Sequence, residues 1–165
     1  MRVTFFKPAC ILFFWFSFSA FLSAEVRIEV RKIVYLDAAG FQRIPEYFSG
    51  REYEGSKIYC RSNEISRSGF YFILKVLGPS NPIPGLHWNI DWVSPDSPFP
   101  QSKIIPINNQ DIFGKEVFIG LTGKDWPNPR AQPLAWCLKL MDGQKDLVAK
   151  HPSFLWSKEM SSDLP

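Results

Sequence analysis

Three polar side chains at alternate positions are candidates for metal ligands. His87, Asn89 and Asp91 alternate with the apolar Trp88 and Ile90. In an extended strand the three polar side chains point to one face. Imidazole, amide and carboxylate groups can contribute to a metal site, but such sites draw ligands from several strands. The same pattern is typical of the solvated face of a half-buried strand. We favour that interpretation and predict no metal site.

The sequence has few candidate catalytic bases. It contains two histidines, His87 and His151, and no Gly-x-Ser-x-Gly sequence around a serine nucleophile. Serine hydrolysis needs a base that is held by a third group. His151 precedes Pro152 at a predicted strand end, where a surface role is expected. No cysteine–histidine zinc spacing and no calcium loop occur. We therefore predict a protein that is not an enzyme and uses no cofactor.

A proline-rich loop in residues 120–130 carries the candidate binding residues. Trp126 stands between Asp125 and Pro127, and Arg130 follows closely. A rigid aromatic side chain beside charged groups is typical of a binding hot spot, and loops on a rigid scaffold often carry recognition. We predict ligand binding by Asp125, Trp126 and Arg130. The alternative is that Trp126 folds back as a plug over one end of the domain.

Cys60 and Cys137 are the cysteines that remain after a predicted N-terminal cleavage. An exported chain meets an oxidising compartment, which favours a disulfide over two separate buried thiols. Cys60 shares a strand face with Ile58 and is expected to point inward. Cys137 lies opposite the more apolar face of its own strand, which favours separate thiols. Both alternatives stay open at this point, and we predict the Cys60–Cys137 disulfide.

Alternating apolar and polar residues predict a series of short strands. In residues 26–36 the pattern places Val26, Ile28, Val30, Val34 and Leu36 on one face, with one charged interruption at position 32. The other predicted strands are 57–61, 69–77, 86–92, 104–107, 116–121, 134–141, 147–149 and 154–156. Asp142-Gly143 predicts a type I′ hairpin turn. Prolines mark 78–85, 94–101 and 126–133 as loops.

This pattern predicts an all-β fold, a single antiparallel two-sheet β-sandwich. The separation of the two cysteines is similar to that in immunoglobulin domains. Ala135 stands where that family has a tyrosine two residues before its second cysteine. Trp88 lies much further from Cys60 than the family's core tryptophan does. The resemblance therefore implies immunoglobulin-like architecture and no family membership.

The first 24 residues have the organisation of a signal peptide. Arg2 and Lys7 form a basic start, residues 9–22 are uncharged, and small residues precede Glu25. The uncharged stretch is shorter than the roughly 20 residues of a membrane-spanning helix. An uncleaved anchor is the alternative. We predict cleavage after Ala24 and export to the periplasm or the exterior.

Cleavage leaves a predicted β-sandwich domain at 25–157 and a polar tail at 158–165. The removed segment carries two basic residues and no acidic one, so the formal net charge falls from +3 to +1. A nearly neutral chain without a basic run gives no case for nucleic acid or for anionic membranes. Membrane contact is expected only if the N-terminal segment stays uncleaved.

Binding is the function that these observations favour. The leading hypothesis is a non-catalytic exported domain that binds an envelope or secreted protein. The alternative is a carbohydrate-binding module that holds a polysaccharide through Trp126. The third hypothesis is a small hydrolase or metal-dependent enzyme that uses His87.

Overall fold

The computed structural model describes residues 25–42, 44–50, 56–79, 82–108 and 111–162. The predicted signal peptide and residues 163–165 of the predicted tail lie outside this part of the chain. The elements, in chain order, are β1 Arg27–Leu36, α1 Ala38–Phe41, α2 Ile44–Ser49, β2 Ile58–Arg61, β3 Gly69–Leu77, β4 His87–Ser94, β5 Ser97–Pro106, β6 Glu116–Thr122, a 3₁₀ turn Gly123–Asp125, β7 Ala135–Met141, β8 Leu147–Pro152 and α3 Phe154–Ser162.

The strands form two four-stranded sheets. Sheet A has the order β1-β3-β6-β2, and sheet B has the order β5-β4-β7-β8. Neighbouring strands are antiparallel in every pair except β2 and β6, which run parallel. The predicted all-β two-sheet sandwich is confirmed, with one parallel pair that the sequence pattern did not indicate.

The inward side chains of both sheets pack into one main core. Its fully buried members include Phe72, Leu74, Val76, Trp88, Ile90, Ile119, Leu121, Leu138 and Leu140. Apolar burial of this kind contributes about 25 cal/mol per Å² removed from water. Every described buried residue of the main core lies between Ile28 and Ala149.

Strand β1 changes its inward face part-way along its length. Its register with β3 shifts between Val30 and Lys32, which marks a β-bulge. One extra residue reverses the side of the sheet to which later side chains point. Tyr35 therefore packs on the main core, while Leu36 packs on a cluster outside sheet A. The single apolar face predicted through Val34 and Leu36 is wrong, because the phase changes at the charged interruption.

The connection between β7 and β8 is a hairpin, as predicted, and the predicted strands at 134–141 and 147–149 leave the observed five residues between Met141 and Leu147. The Oδ1 of Asp142 accepts hydrogen bonds from the backbone N–H groups of Gln144 at 2.9 Å and Asp146 at 2.8 Å. Lys145 takes the left-handed conformation, with φ at 68°. The predicted two-residue type I′ turn is therefore wrong.

Helix α3 replaces the strand predicted at 154–156 and continues into the predicted tail. Ser153 precedes the helix, and its Oγ accepts from the N–H of Trp156 at 3.4 Å. Serine is a favoured residue at this capping position. The N–H of Ser157 donates to the carbonyl of Ser153 at 3.1 Å. At the other end of sheet B, β5 begins inside the predicted loop 94–101, because an edge strand tolerates prolines.

The outer face of sheet A carries a second hydrophobic cluster, which we call the aromatic cluster. Its members are the buried Phe41, Tyr71 and Phe118 and the partly buried Leu36, Tyr59 and Ile73. Phe41 comes from α1, and its ring centroid lies 4.9 Å from that of Tyr71. The Tyr71 hydroxyl donates to the carbonyl of Arg67 at 2.7 Å. Gly120 leaves room for the tyrosine ring, since a Cβ there would lie 2.5 Å from its Cε1.

Candidate functional site

Trp126 lies in the interior, at one end of the sandwich. Its side chain is 3% exposed, belongs to the main core, and has its ring centroid 5.2 Å from that of Phe70. Its backbone N–H donates to the carbonyl of Gly123 at 3.2 Å, which closes the 3₁₀ turn. The structure therefore agrees with the alternative interpretation, in which Trp126 folds back and plugs one end of the domain. The Trp126 ring packs against that of Phe70, with an angle of 41° between the two ring planes.

The other two residues of the predicted binding loop have separate surroundings. Asp125 forms an ion pair with Lys103 on β5, with an Nζ–Oδ2 distance of 3.2 Å. Arg130 is exposed, and its backbone N–H donates to Oδ1 of Asn128 at 3.0 Å. A pocket of about 200 Å³ brings Asp125 and Trp126 together with residues of the β4–β5 turn, and Arg130 does not line it. This pocket is below the roughly 300 Å³ at which ligand pockets commonly begin.

The polar row on β4 is engaged in hydrogen bonds and an ion pair. The Nδ1 of His87 lies 3.1 Å from the carbonyl oxygen of Gly85. Asn89 Oδ1 accepts from the Ser102 hydroxyl at 3.0 Å, and Asp91 pairs with Lys139 on β7. Within the described residues, no group of three or more His, Cys, Asp or Glu side chains is placed to hold a metal ion.

No disulfide joins Cys60 to Cys137, so the predicted bridge is wrong. Cys60 lies in the main core between the sheets, on the same strand face as Ile58. Cys137 lies between the inward-facing Trp136 and Leu138 and therefore points out of sheet B. Packed sheets are about 10 Å apart, whereas a disulfide needs Cα atoms within about 7 Å and side chains that point together.

Cys137 is fully buried although it lies on the outer face of its sheet. Helix α3 packs against β7 on the same sheet. Burial raises the pKa of the Cys137 thiol above its ordinary value, and the nearby Lys150 and Lys139 oppose that shift. The thiol is therefore held in its protonated, unreactive form at neutral pH.

A groove of about 980 Å³ runs between β1 and β8, each of which is an edge strand. Residues 25–31 form one wall and residues 147–151 form the other. Ile28 and Ala149 are buried beneath it as part of the main core. Val26, Val30 and Val148 are partly buried and pack against that core. Within the described residues, the groove therefore combines two sheet edges that pair with no further strand and an apolar floor that is only partly covered.

Sequence reasoning located both strands of this groove but not the groove itself. Alternation in residues 26–36 and the apolar stretch at 147–149 indicated the strands. No local signal states which strands lie at the edges of their sheets or that the two edges face one another.

Comparisons with known proteins give no relatives. No protein-family model matches the chain, and neither curated proteins nor solved structures provide a match. In the described residues, no helix is both long and apolar enough to cross a membrane. A sandwich architecture carries no function by itself, so function is inferred from the surfaces described above.

Proposed function

We propose that this domain binds a protein partner, taking an extended segment of it as an added strand in the groove between β1 and β8. The observation that carries the proposal is that two edge strands flank an apolar floor in one groove. Addition of a strand to a sheet edge is a general mode of peptide recognition. Main-chain hydrogen bonds supply affinity, and alternate side chains supply specificity.

The groove floor fits a segment with apolar residues at every second position. Val30 and Val148 are only partly buried, so a partner's apolar side chains would remove their remaining surface from water. Val26 extends the same floor toward the start of β1. The alternation of a strand places such side chains on one face and polar ones on the other.

Charged residues along the walls make the groove selective. Arg27, Glu29, Arg31 and Lys150 line it, so basic and acidic groups are interspersed. Charges at a sheet edge discourage indiscriminate pairing. A matching partner needs compensating charges at its polar positions. The bulge after Val30 ends the regular edge of β1 and limits how far a partner strand can pair there.

Export is part of the proposal, because residues 1–24 have the organisation of a signal peptide. The partner class is then an envelope or secreted protein. The sugar-binding alternative is less favoured, since the Trp126 ring that would have stacked on a sugar is 3% exposed and packs against Phe70. Trp126→Ala is also a poor probe of binding, because loss of a buried tryptophan costs about 3–5 kcal/mol of stability.

The test uses two leucines of matched exposure. Leu147 lines the groove and is 54% exposed, whereas Leu134 is 55% exposed and lies outside the groove. The full-length chain carries a photoactivatable cross-linker at Val148 and, in a second sample, at Ile104 on β5. We expect the Val148 sample to cross-link one protein through an extended segment, and Leu147→Asp to abolish that product. Leu134→Asp is expected to leave it unchanged.

Hydrogen exchange distinguishes strand addition from side-chain contact. Bound partner is expected to slow amide exchange along one of the two groove strands. Cross-links that arise equally from Val148 and Ile104, or that survive Leu147→Asp, would contradict the groove as the binding site. Cross-links from Val148 to a second copy of this chain would replace the proposed partner by self-association.

A further inference from the structure

We propose that the outer face of sheet A, together with α2, docks on a membrane surface that carries anionic lipids. The proposed docking face shares Arg31 with the wall of the groove but is separate from the floor of the groove, which lies on the inner side of β1. It therefore does not depend on the proposed protein partner. The inference rests on a concentration of basic side chains, on unpaired cations among them, and on exposed apolar side chains beside them.

Basic residues from separate segments meet on this face. The basic residues that line a depression of about 390 Å³ are Arg31, Lys57, Lys75 and Lys115. Lys32 lines an adjoining depression of about 310 Å³, whose floor includes the aromatic cluster. Glu116 is the acidic residue of both linings. The nearly neutral chain thus presents an excess of positive charge on one surface.

Part of this charge is left uncompensated. Glu116 pairs with Lys57 at 3.3 Å, and Asp111 pairs with Lys115 at 3.0 Å. Lys75 lies opposite Glu29 in the strand register, yet neither Lys75 nor Lys32 belongs to an ion pair within the described residues. Dispersed cations on an open sheet face complement an array of head groups, and each contributes about 1 kcal/mol near an anionic bilayer, a factor of about five.

Helix α2 adds exposed apolar side chains next to this face. Ile44, Tyr47 and Phe48 are 79%, 89% and 83% exposed. Glu46 on the same helix pairs with Arg67 at 2.7 Å. The carbonyl of Arg67 accepts from the hydroxyl of Tyr71, whose ring belongs to the aromatic cluster on the outer face. These contacts hold α2 at the Tyr71 end of the outer face of sheet A.

The combination distinguishes a membrane from a soluble anion. Exposed aromatic and aliphatic side chains enter the head-group region of a bilayer, while neighbouring Lys and Arg side chains contact anionic head groups. A soluble polyanion would use the cations but gain nothing from Phe48 or Ile44. Membrane docking accounts for both features of the surface.

Vesicle co-sedimentation tests the proposal. The probes are vesicles of phosphatidylcholine alone and of phosphatidylcholine mixed with phosphatidylglycerol. The chain beginning at Glu25, which holds every described core residue, is compared with the full-length chain. We expect the shorter chain to bind the anionic vesicles more tightly than the neutral ones. High salt should weaken that binding because salt screens exposed charges.

Matched variants test the face itself. Lys32→Gln and Lys75→Gln are each expected to lower partitioning onto anionic vesicles about fivefold. Lys150→Gln, on sheet B, is expected to leave it unchanged. Phe48→Ser is expected to weaken binding, whereas Phe99→Ser, an exposed phenylalanine on β5, is not. Leu147→Asp keeps vesicle binding intact, so the groove and this face are tested separately.

Three results would overturn the proposal. The first is equal binding of the shorter chain to neutral and anionic vesicles. The second is equal loss of binding in Lys75→Gln and Lys150→Gln. The third is binding to soluble dextran sulfate without any binding to vesicles, which would assign the basic face to a soluble polyanion.

Discussion

The outer faces of the two sheets are protected from water in different ways. Sheet A is covered in part by α1, whose Phe41 packs on Tyr59 and Tyr71 and completes the aromatic cluster. Sheet B has polar pairs on the corresponding face, including Asp91 with Lys139. Helix α3 packs on β7, yet its Phe154 remains exposed.

This difference shows that the outer layer of a sandwich is not uniformly polar. Apolar burial scales with area, whereas partly exposed ion pairs contribute roughly 0–1 kcal/mol. Substitutions on the outer face of sheet A should therefore cost more stability than substitutions on sheet B. The same packing also rigidifies the surface that presents the basic residues.

The largest expected effect is the loss of Phe41. Phe41→Ala removes a buried ring from the aromatic cluster and is expected to lower the free energy of unfolding by about 3 kcal/mol. Phe154→Ala removes an exposed ring from α3 and should change it by no more than about 0.5 kcal/mol. Urea unfolding of both variants measures the difference. Equal losses of unfolding free energy in the two variants would contradict the difference between the outer faces of the two sheets.

Gly120→Ala is expected to cause a smaller loss of stability. The added methyl group would lie 2.5 Å from the Tyr71 ring, so the ring must move off its hydrogen bond to Arg67. Overpacking of this kind costs about 1–3 kcal/mol. Ser102→Ala on sheet B removes one surface hydrogen bond and serves as the control. Wild-type thermal stability in Gly120→Ala would show that the ring is not confined by the glycine.

The ion pair on sheet B should contribute less to the free energy of unfolding than the side chains tested above. A double-mutant cycle of Asp91→Asn and Lys139→Met is expected to give a coupling free energy of about 1 kcal/mol or less, since both side chains keep contact with water. Denaturant unfolding of the four proteins provides the measurement. A coupling as large as the Phe41 effect would make the two faces energetically equivalent.

The smallest effect concerns Cys137 and pH. Burial raises the pKa of this thiol above its ordinary value of 9.0, so the unfolded thiol ionises at lower pH than the folded one. The stability linked to the protonated thiol is fully present below pH 9.0 and declines as pH rises past it. At alkaline pH, the free energy of unfolding of Cys137→Ala should therefore decline less than that of the wild-type protein.

Reducing agents provide a simpler test of the same cysteine. Since Cys60 and Cys137 are not bridged, the melting temperature should be the same with and without a reductant. A drop in melting temperature on reduction would restore the disulfide interpretation. Alkylation of Cys137 should be slow in the native state and rapid in denaturant, because burial shields the thiol.

Sequence patterns succeeded where one strand carries its own signal. The aromatic and apolar run at 69–77 predicted β3 with its observed bounds. The inward orientation of Cys60 followed from its face with Ile58. The patterns failed where a single residue changes the outcome. The bulge after Val30 reversed the rest of β1, and Ser153 started a helix where a strand was predicted.

The predicted binding loop shows a different limit. Its composition predicted a proline-rich loop around Trp126, and residues 126–134 lie outside the helices and strands. Whether Trp126 points outward or inward depends on space beside Phe70, which comes from a distant strand. Local sequence does not contain that information.

The sequence by itself determined the fold class, because alternation at period two is a local property that follows from strand geometry. It also fixed the organisation of the N-terminal segment and the near-neutral charge. Only the tertiary structure decided which strands became edges and where the charges gathered. Lys32 and Lys75 belong to two strands and Lys57 directly precedes a third, and only the order of these strands in sheet A places the three lysines on one surface.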